Sequence, residues 1–514
     1  MAILCAVESE THVLEQVNTG EGKSFIIAAI ATIRRKTGKR YVDIITSSSV
    51  LAQRDAAEMT ELYQELGLSV ADNCSEDLEA RKKAYASDIV YGDIARFQRD
   101  HLLHTFYKKP LKGDRTQVAV IVDEVDNMLL DNGNNMLYLS HSVPGMDLLD
   151  SLLIFIQQQI HIPIYTDAAF VYRITACFSV IISRERSIEI PVYLRNFVKL
   201  HLDELIQNCK HALFLEVNTG YVVDVDHTGK MISALESLIT IIDSNTGADL
   251  ATSQWCGGLH QFLQLKHGCR VSPMSLKAVF ISNVTYLKGY KHINGLSGTL
   301  GSIEESKTLI ELYHADLIKI PTNKAKVFYE HVPAIATREE QWISNIYDEI
   351  CDQVSGTRSV LLICEDIKQL DYVYDGLIKC FKTDHSTSKK ITECFTTITI
   401  YKREHDEFNF EDDHKLEPHR LIIATNLAGR GTDIKLSKSL INAGGLHVIT
   451  AFMPKNCRIE EQAYGRAARF VIIFYSIIIL LIFLFFIDVV NQVLLKLLHL
   501  LNQQIILFNR QFFN

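Results

Sequence analysis

Thr19-Gly20-Glu21-Gly22-Lys23-Ser24 is the stretch whose reading decides the fold. It follows an amphipathic run ending in Val13-Leu14-Glu15-Gln16-Val17 and precedes an apolar, helix-like run, Phe25-Ile26-Ile27-Ala28-Ala29-Ile30. Two glycines let the backbone fold tightly and turn its N–H groups inward. A helix beginning just after them presents its N-terminus to an anion. Residues Thr19, Gly20, Glu21, Gly22, Lys23 and Ser24 therefore form a candidate phosphate cradle. Lys23 would reach the β- and γ-phosphates, and the Ser24 hydroxyl would ligate Mg²⁺. The full G-x-x-x-x-G-K-[ST] pattern is not met, because Val17 stands at the first glycine position.

Downstream the pattern alternates. Tyr41-Val42-Asp43-Ile44-Ile45-Thr46 reads as a buried strand, and Ser47-Ser48-Ser49 as a turn capping a helix that runs from Val50 through Leu62 and Tyr63. Leu68-Ser69-Val70 and Ala86-Ser87-Asp88-Ile89-Val90-Tyr91-Gly92 read as two further strands. Gln117-Val118-Ala119-Val120-Ile121-Val122 is continuous and apolar, as a strand buried on both faces should be. Strands alternating with helices predict a parallel α/β sheet. The last of these strands ends in Asp123-Glu124-Val125-Asp126. Acids at that position suit an ATPase: Asp123 holding Mg²⁺ through its hydration shell, Glu124 positioning or deprotonating the attacking water. A solvated acidic loop is the plainer alternative.

Composition limits the classes. The 514 residues suggest roughly three domains. At 47% hydrophobic and 22% charged the chain is an ordinary globular one. A net charge of −9 shows no bulk footprint for nucleic acid, although a local basic groove stays open. The eleven cysteines are scattered and include no C-x-x-C, which argues against a zinc cluster or redox pair and suits a reducing compartment. The N-terminus lacks the basic and apolar regions of a signal peptide.

The motifs, taken together, resemble one family. Residues 19–24, Leu51-Ala52-Gln53-Arg54-Asp55, Val90-Tyr91-Gly92 and Val122-Asp123-Glu124-Val125-Asp126 resemble the first half of the motor of SecA, the preprotein-translocase ATPase. Gly258-Leu259-His260-Gln261, Leu296-Ser297-Gly298-Thr299 and Pro321-Thr322-Asn323 resemble its later segments. So do Ile423-Ala424-Thr425-Asn426-Leu427-Ala428-Gly429-Arg430-Gly431-Thr432-Asp433-Ile434 and Gly444-Gly445-Leu446-His447-Val448-Ile449. The resemblance covers residues 15–130 and 255–469. It implies a cytoplasmic, membrane-peripheral motor that uses ATP and Mg²⁺, with an unfolded preprotein and a membrane protein-conducting channel as partners. Nucleic acid is not an expected partner.

The later motifs also make sense from their residues. Leu421-Ile422-Ile423-Ala424-Thr425 is a buried strand, and the Gly429-Arg430-Gly431 turn after it needs conformational freedom. Arg430 and Gly431 could approach a nucleotide held by the first domain. Asp433 could accept hydrogen bonds from a ribose or couple the two domains. Gln462, Arg466 and Arg469 fall at i, i+4 and i+7, one face of a helix that also carries Arg458. Arg466 and Arg469 could stabilise charge on a γ-phosphate, an arrangement that contributes about 10³–10⁵ in rate. An ordinary basic helix face is the alternative.

Two departures stand out. The family's adenine-reading glutamine would fall about at Ala2, so adenine selectivity and an N-terminal truncation are both open. After Arg469 the family's long helical scaffold is replaced by residues 470–514. The run 470–487 carries no charge, and Asp488 ends it. It reads either as a C-terminal membrane anchor, near the lower length limit of about 20 residues, or as a stretch joined by read-through or a mis-joined gene model.

The resulting expectation is an α/β protein with two RecA-like doubly wound domains, an inserted smaller domain and a hydrophobic C-terminal helix. Residues 1–133 form the first nucleotide-binding part and 134–254 a preprotein-binding-like insertion. Residues 255–320 return to the first domain, 321–469 form the second, and 470–514 the tail. Within 134–254, Leu152-Leu153-Ile154-Phe155-Ile156 and Val180-Ile181-Ile182 supply core. Tyr221-Val222-Val223-Asp224-Val225 with Thr228-Gly229-Lys230 reads as a strand and hairpin turn. The rival functions are a DEAD/DExH-type nucleic-acid helicase and a non-catalytic nucleotide-binding relic. Asp-Glu-Val-Asp, the Leu-Ala-Gln-Arg-Asp stretch and the acidic balance favour the translocase.

Overall fold

The computed structural model describes residues 1–9, 12–18, 20–38, 41–142, 145–160, 190–224, 238–242, 249–250, 254–322, 327–384, 388–402, 415–425, 434–454, 456–465 and 473–481. The chain divides into two compact units, 1–137 with 281–514, and 138–280.

The first unit holds two parallel sheets. The strands of the first are β1 (His12–Gln16), β2 (Val42–Thr46), β3 (Val70–Asp72), β4 (Ile89–Asp93) and β5 (Ala119–Asp123), completed from beyond the second unit. That unit contributes β6 (Met136–Ser142), β7 (Tyr221–Asp224), β8 (Leu238–Ile242), β9 (Asp249–Leu250) and β10 (Ser275–Ser282). The first sheet then gains β11 (His292–Ser297) and β12 (Ala315–Lys319). Its order is β12-β1-β11-β5-β2-β4-β3, every pairing parallel. Consecutive residues serve opposite faces. Ile44 and Ile121 enter one core with Ile27, Ala28 and Tyr63; Ile45, Val120 and Val122 enter the other with Leu14, Phe97 and Tyr286. A sheet covered on both faces needs continuous apolar strands, and β5 supplies one. Near the starts of β2 and β5, buried Arg115 donates from Nε to Asp43 Oδ1 at 2.8 Å, and Tyr290 donates to Asp43 Oδ2 at 2.6 Å. This sealed network ties the strands at the edge away from the site.

The second sheet contains β13 (Val327–Glu330), β14 (Ala334–Ala336), β15 (Ser359–Cys364), β16 (Thr399–Tyr401), β17 (Leu421–Thr425), β18 (Leu446–Thr450) and β19 (Ile473–Leu481). Its order is β13-β19-β18-β15-β17-β16, with β14 also on β19, again all parallel. Two cores cover its faces. Leu361, Ile363, Ile422 and Val448 face one; Leu362, Ile423 and Ile449 face the other. The expectation of two doubly wound parallel sheets holds.

The C-terminal run is a correction. Residues 473–481, expected within a hydrophobic helix or membrane span, form β19, held between β18 and the β13/β14 edge. Ile478 and Leu480 enter one core, Ile477 and Ile479 the other. Trp342 Nε1 donates to the Ile479 carbonyl at 2.9 Å. Among the described residues no helix is long and apolar enough to cross a membrane; residues 470–472 and 482–514 lie outside them.

Smaller differences have local causes. The helix expected through Tyr63 is two, Ser49–Glu58 and Thr60–Glu65, broken at Met59. Ser48 caps the first, accepting from the Leu51 N–H at 3.3 Å. The strand expected at Leu68 starts at Val70 and pairs with β4 from Ile89.

The second unit is built around the helices Asp150–Ile160, Arg195–Phe214 and Leu259–Lys266. Leu152, Leu153, Ile156, Val198, Leu205 and Phe262 form its core. Lys266 Nζ donates to the carbonyls of Ala212 and Leu213, closing the end of the long helix. Strands β7, β8 and β9 make a small antiparallel sheet. Residues 180–182 and 228–230 lie outside the described set.

Candidate functional site

In a parallel sheet with helices on both faces, ligands are met at the carboxyl ends of the strands. Here that edge carries Gln16 at the end of β1, Thr46 at the end of β2, Asp123 at the end of β5 and Ser297 at the end of β11. The cradle begins three residues after Gln16, the last residue of β1. Gly20 has φ +86° and Gly22 φ +79°, both left-handed, and Gly22 opens the helix Lys23–Lys36. That conformation brings the helix N-terminus to the sheet edge with little steric cost to the turn. A Cβ on Gly22 would meet nothing within 4 Å, so the glycine is there for its backbone rather than for space.

Lys23 is the centre of the arrangement. Its Nζ donates to Glu124 Oε1 at 2.8 Å and lies 3.9 Å from Asp123 Oδ1. Burial works against its charge, and the carboxylates of Glu124 and Asp123 outweigh that, holding its pKa above the ordinary value. Burial pushes the Asp123 carboxyl up, with Lys23 opposing and Glu124 and Asp55 reinforcing. Asp123 Oδ1 also accepts the Glu124 N–H at 3.0 Å. Glu124 itself sits at φ +61°, a left-handed backbone uncommon for a residue with a side chain. Strain at the residue that would face the water is a recurrent mark of functional sites.

Ser24 and Asp123 line one small cavity of about 10 Å³, room for a single water, with Thr46, Asp55 and Tyr91 and an apolar floor of Ile27, Ile44 and Met59. A hydroxyl and a carboxylate converging in this way are hard oxygen donors suited to Mg²⁺. The exposed, glycine-opened helix N-terminus beside Lys23 suits a phosphate. The residues present therefore fit a nucleotide with its cation.

Two contacts extend the site. Buried Asp126 accepts from Ser297 Oγ at Oδ1 and from Thr299 Oγ1 at Oδ2, both at 2.7 Å. The Leu296-Ser297-Gly298-Thr299 segment is thereby fixed to the acidic turn. Buried Arg458, from the helix Cys457–Gly465, donates from Nε to Glu305 Oε1 at 2.9 Å, from Nη2 to Asp131 Oδ1 at 2.8 Å and from Nη1 to the Asp126 carbonyl at 3.3 Å. Ser302 and Glu305 form a capping box on the helix Ile303–Tyr313, and the S-x-x-E spacing is the signal that could have picked out Glu305. Sequence reading named Arg458 without a partner; a pairing across more than 150 residues leaves no local trace.

Of the expected site residues, the structure brings Lys23, Ser24, Asp123 and Glu124 together, with Gly20, Glu21 and Gly22 in the turn before them. Thr19, Arg430, Gly431, Asp433, Arg466 and Arg469 lie outside the described residues.

With this geometry established, the family is decided by comparison. The model of the SecA DEAD-like domain matches residues 3–308, more than half of the chain. The chain belongs to the SecA DEAD-like domain family. It is 27% identical over 475 residues to the protein translocase subunit SecA of Maridesulfovibrio salexigens, covering 89% of this chain and 52% of that one. The SecA subunit of Clostridium botulinum (strain Eklund 17B / Type B) is also 27% identical, over 460 residues, with the same shares. The chain thus spans about half the length of the curated relatives it matches. Among solved structures, the DUF1998 helicase MrfA bound to DNA and AMPPNP gives a TM-score of 0.44 at 10% identity, covering 93% of this chain and 47% of that one. S. cerevisiae Dbp5 bound to RNA and ADP BeF3 gives 0.42 at 11%, covering 92% and 81%. Likenesses this loose bear on neither substrate nor partner.

Proposed function

We propose that this SecA-family chain binds ATP at Gly20–Ser24, hydrolyses it with Glu124 as the base, and uses the cycle to move unfolded polypeptide. The observation that carries the reading is Lys23 set between Glu124 and Asp123 at the mouth of a glycine-opened helix N-terminus. Lys23 would exchange its bond to Glu124 for the terminal phosphates, which frees that carboxylate to take a proton from the attacking water. Ser24 and Asp123 would hold Mg²⁺, which supplies charge neutralisation at the phosphates. Arg466, Arg469, Arg430, Gly431 and Asp433 are the proposed contribution of the second sheet's domain, and residues 134–254 that of the polypeptide-binding part. A membrane channel as partner follows from the relatives, which are named translocase subunits, and a peripheral place at that membrane follows with it.

The test uses the full chain. Lys23→Ala should abolish nucleotide binding. Glu124→Gln should keep binding and lower turnover by about 10²–10⁴. Normal turnover in Glu124→Gln would remove Glu124 as the base. Stimulation of turnover by an unfolded polypeptide and not by RNA is the expected result for cargo; stimulation by RNA alone would assign the chain to nucleic acid.

A further inference from the structure

Asp55 has no task in the reading above. It lies in the helix Ser49–Glu58, within Leu51-Ala52-Gln53-Arg54-Asp55, and is 7% exposed. Its Oδ1 takes two bonds from Arg54, from Nε at 3.1 Å and Nη2 at 3.0 Å. Both bonds fall on the one oxygen, which leaves Oδ2 open to another partner. A carboxylate this deeply buried is costly unless its remaining oxygen is met.

The cavity supplies the place where it is met. Asp55 shares its walls with Ser24 and Asp123. The other polar walls are already engaged: Thr46 Oγ1 donates to the Ser48 carbonyl at 2.8 Å, and Tyr91 and Tyr63 share a hydroxyl pair at 3.0 Å. The remaining walls are Ile27, Ile44 and Met59. About 10 Å³ holds one water, and a stable water needs two to four polar partners. Asp55, Ser24 and Asp123 provide them. Burial pushes the Asp55 carboxyl up while Arg54 opposes it, and the Lys23 charge reaches it as well.

We propose that Asp55 is a positioning residue for the cation, holding in this cavity a water that belongs to the hydration shell of the ion bound by Ser24 and Asp123. This rests on the reading that those two residues hold Mg²⁺. Asp55 acts on the ion through that water, as outer-shell carboxylates do for ligands in other metal sites.

The experiment measures binding of a non-hydrolysable ATP analogue to the full chain, with Mg²⁺ titrated in and with EDTA, for wild type, Asp55→Asn and Asp55→Glu. Asp55→Asn should raise the half-saturating Mg²⁺ concentration by about tenfold and leave both the affinity in EDTA and the unfolding midpoint unchanged. Asp55→Glu should recover part of the loss. An unchanged Mg²⁺ requirement in Asp55→Asn, with wild type still Mg²⁺-dependent, overturns the role of Asp55 alone. An equal loss with and without Mg²⁺, accompanied by a lower unfolding midpoint, also overturns it and marks Asp55 as structural. Wild-type binding that ignores Mg²⁺ overturns the cation site itself and this role with it.

Discussion

β5 and β19 are the same object chemically and met opposite fates in the sequence. Each is a continuous apolar strand in a parallel sheet, with alternate side chains in two cores. β5 stops at Asp123-Glu124 after five residues, so its length and its acidic end announce a buried strand. β19 lies inside an uncharged run of eighteen residues, 470–487, long enough to suggest a membrane helix. Burial between two layers of helices and burial in lipid demand the same lack of charge. Only length separates the two signals, and length fails when a strand is embedded in a longer apolar stretch.

The comparison can be broken most directly by a charge. Ile121→Asp in β5 and Ile478→Asp in β19 should each destabilise the protein by about 4 kcal/mol, read as a fall in the urea midpoint. A β19 variant with wild-type stability would remove that strand from the second core.

β1 sharpens the comparison, because it carries an acid in its buried interior, whereas β5 carries one only at its end and β19 none. Glu15 is 1% exposed and both its carboxylate oxygens lack a hydrogen-bond partner among the described residues. Burial pushes its carboxyl from 4.5 up to about 7, with the N-terminal amine opposing. The native state therefore keeps the proton longer than the unfolded chain. The stability that this group contributes is greatest below about pH 4.5, falls as pH rises towards 7, and stays reduced above it. Glu15→Gln should gain on the order of 2 kcal/mol at pH 8 and little at pH 4.5, measured by denaturant titration at both pH values. An equal change at the two would place the Glu15 carboxylate in water.

The smallest expected effect concerns the edge of β19. Trp342→Phe removes the bond to the Ile479 carbonyl and should cost about 1 kcal/mol. The chain has two tryptophans, so in a Trp255→Phe background the emission of Trp342 reports directly on whether β19 is in place. A water-exposed spectrum for Trp342 in the native protein would contradict the packing.

Legibility followed the range of the signal. The glycine turn, Lys23, Ser24 and the acidic end of β5 were readable because each function sits within six residues. So were β2, β5 and β17, whose apolar runs are short and bounded. The helix break at Met59 was not, since no glycine or proline marks it. The clamp of Ser297 and Thr299 on Asp126 joins residues about 170 apart, and Arg458 reaches Glu305 across 153 positions and Asp131 across 327. Such pairings exist only once both segments are folded, so the sequence names the members without the bonds.

The place of β19 also sets an order of events during synthesis. It is the last described strand, yet it lies inside the sheet, with β18 on one side and β13 and β14 on the other. Until it has emerged, β13 and β14 have no partner among the described strands of that sheet, and one flank of β18 stays open. The first sheet can close once β12 has emerged. A nascent chain therefore passes through an interval in which the nucleotide cradle is finished and the second sheet still exposes an apolar edge.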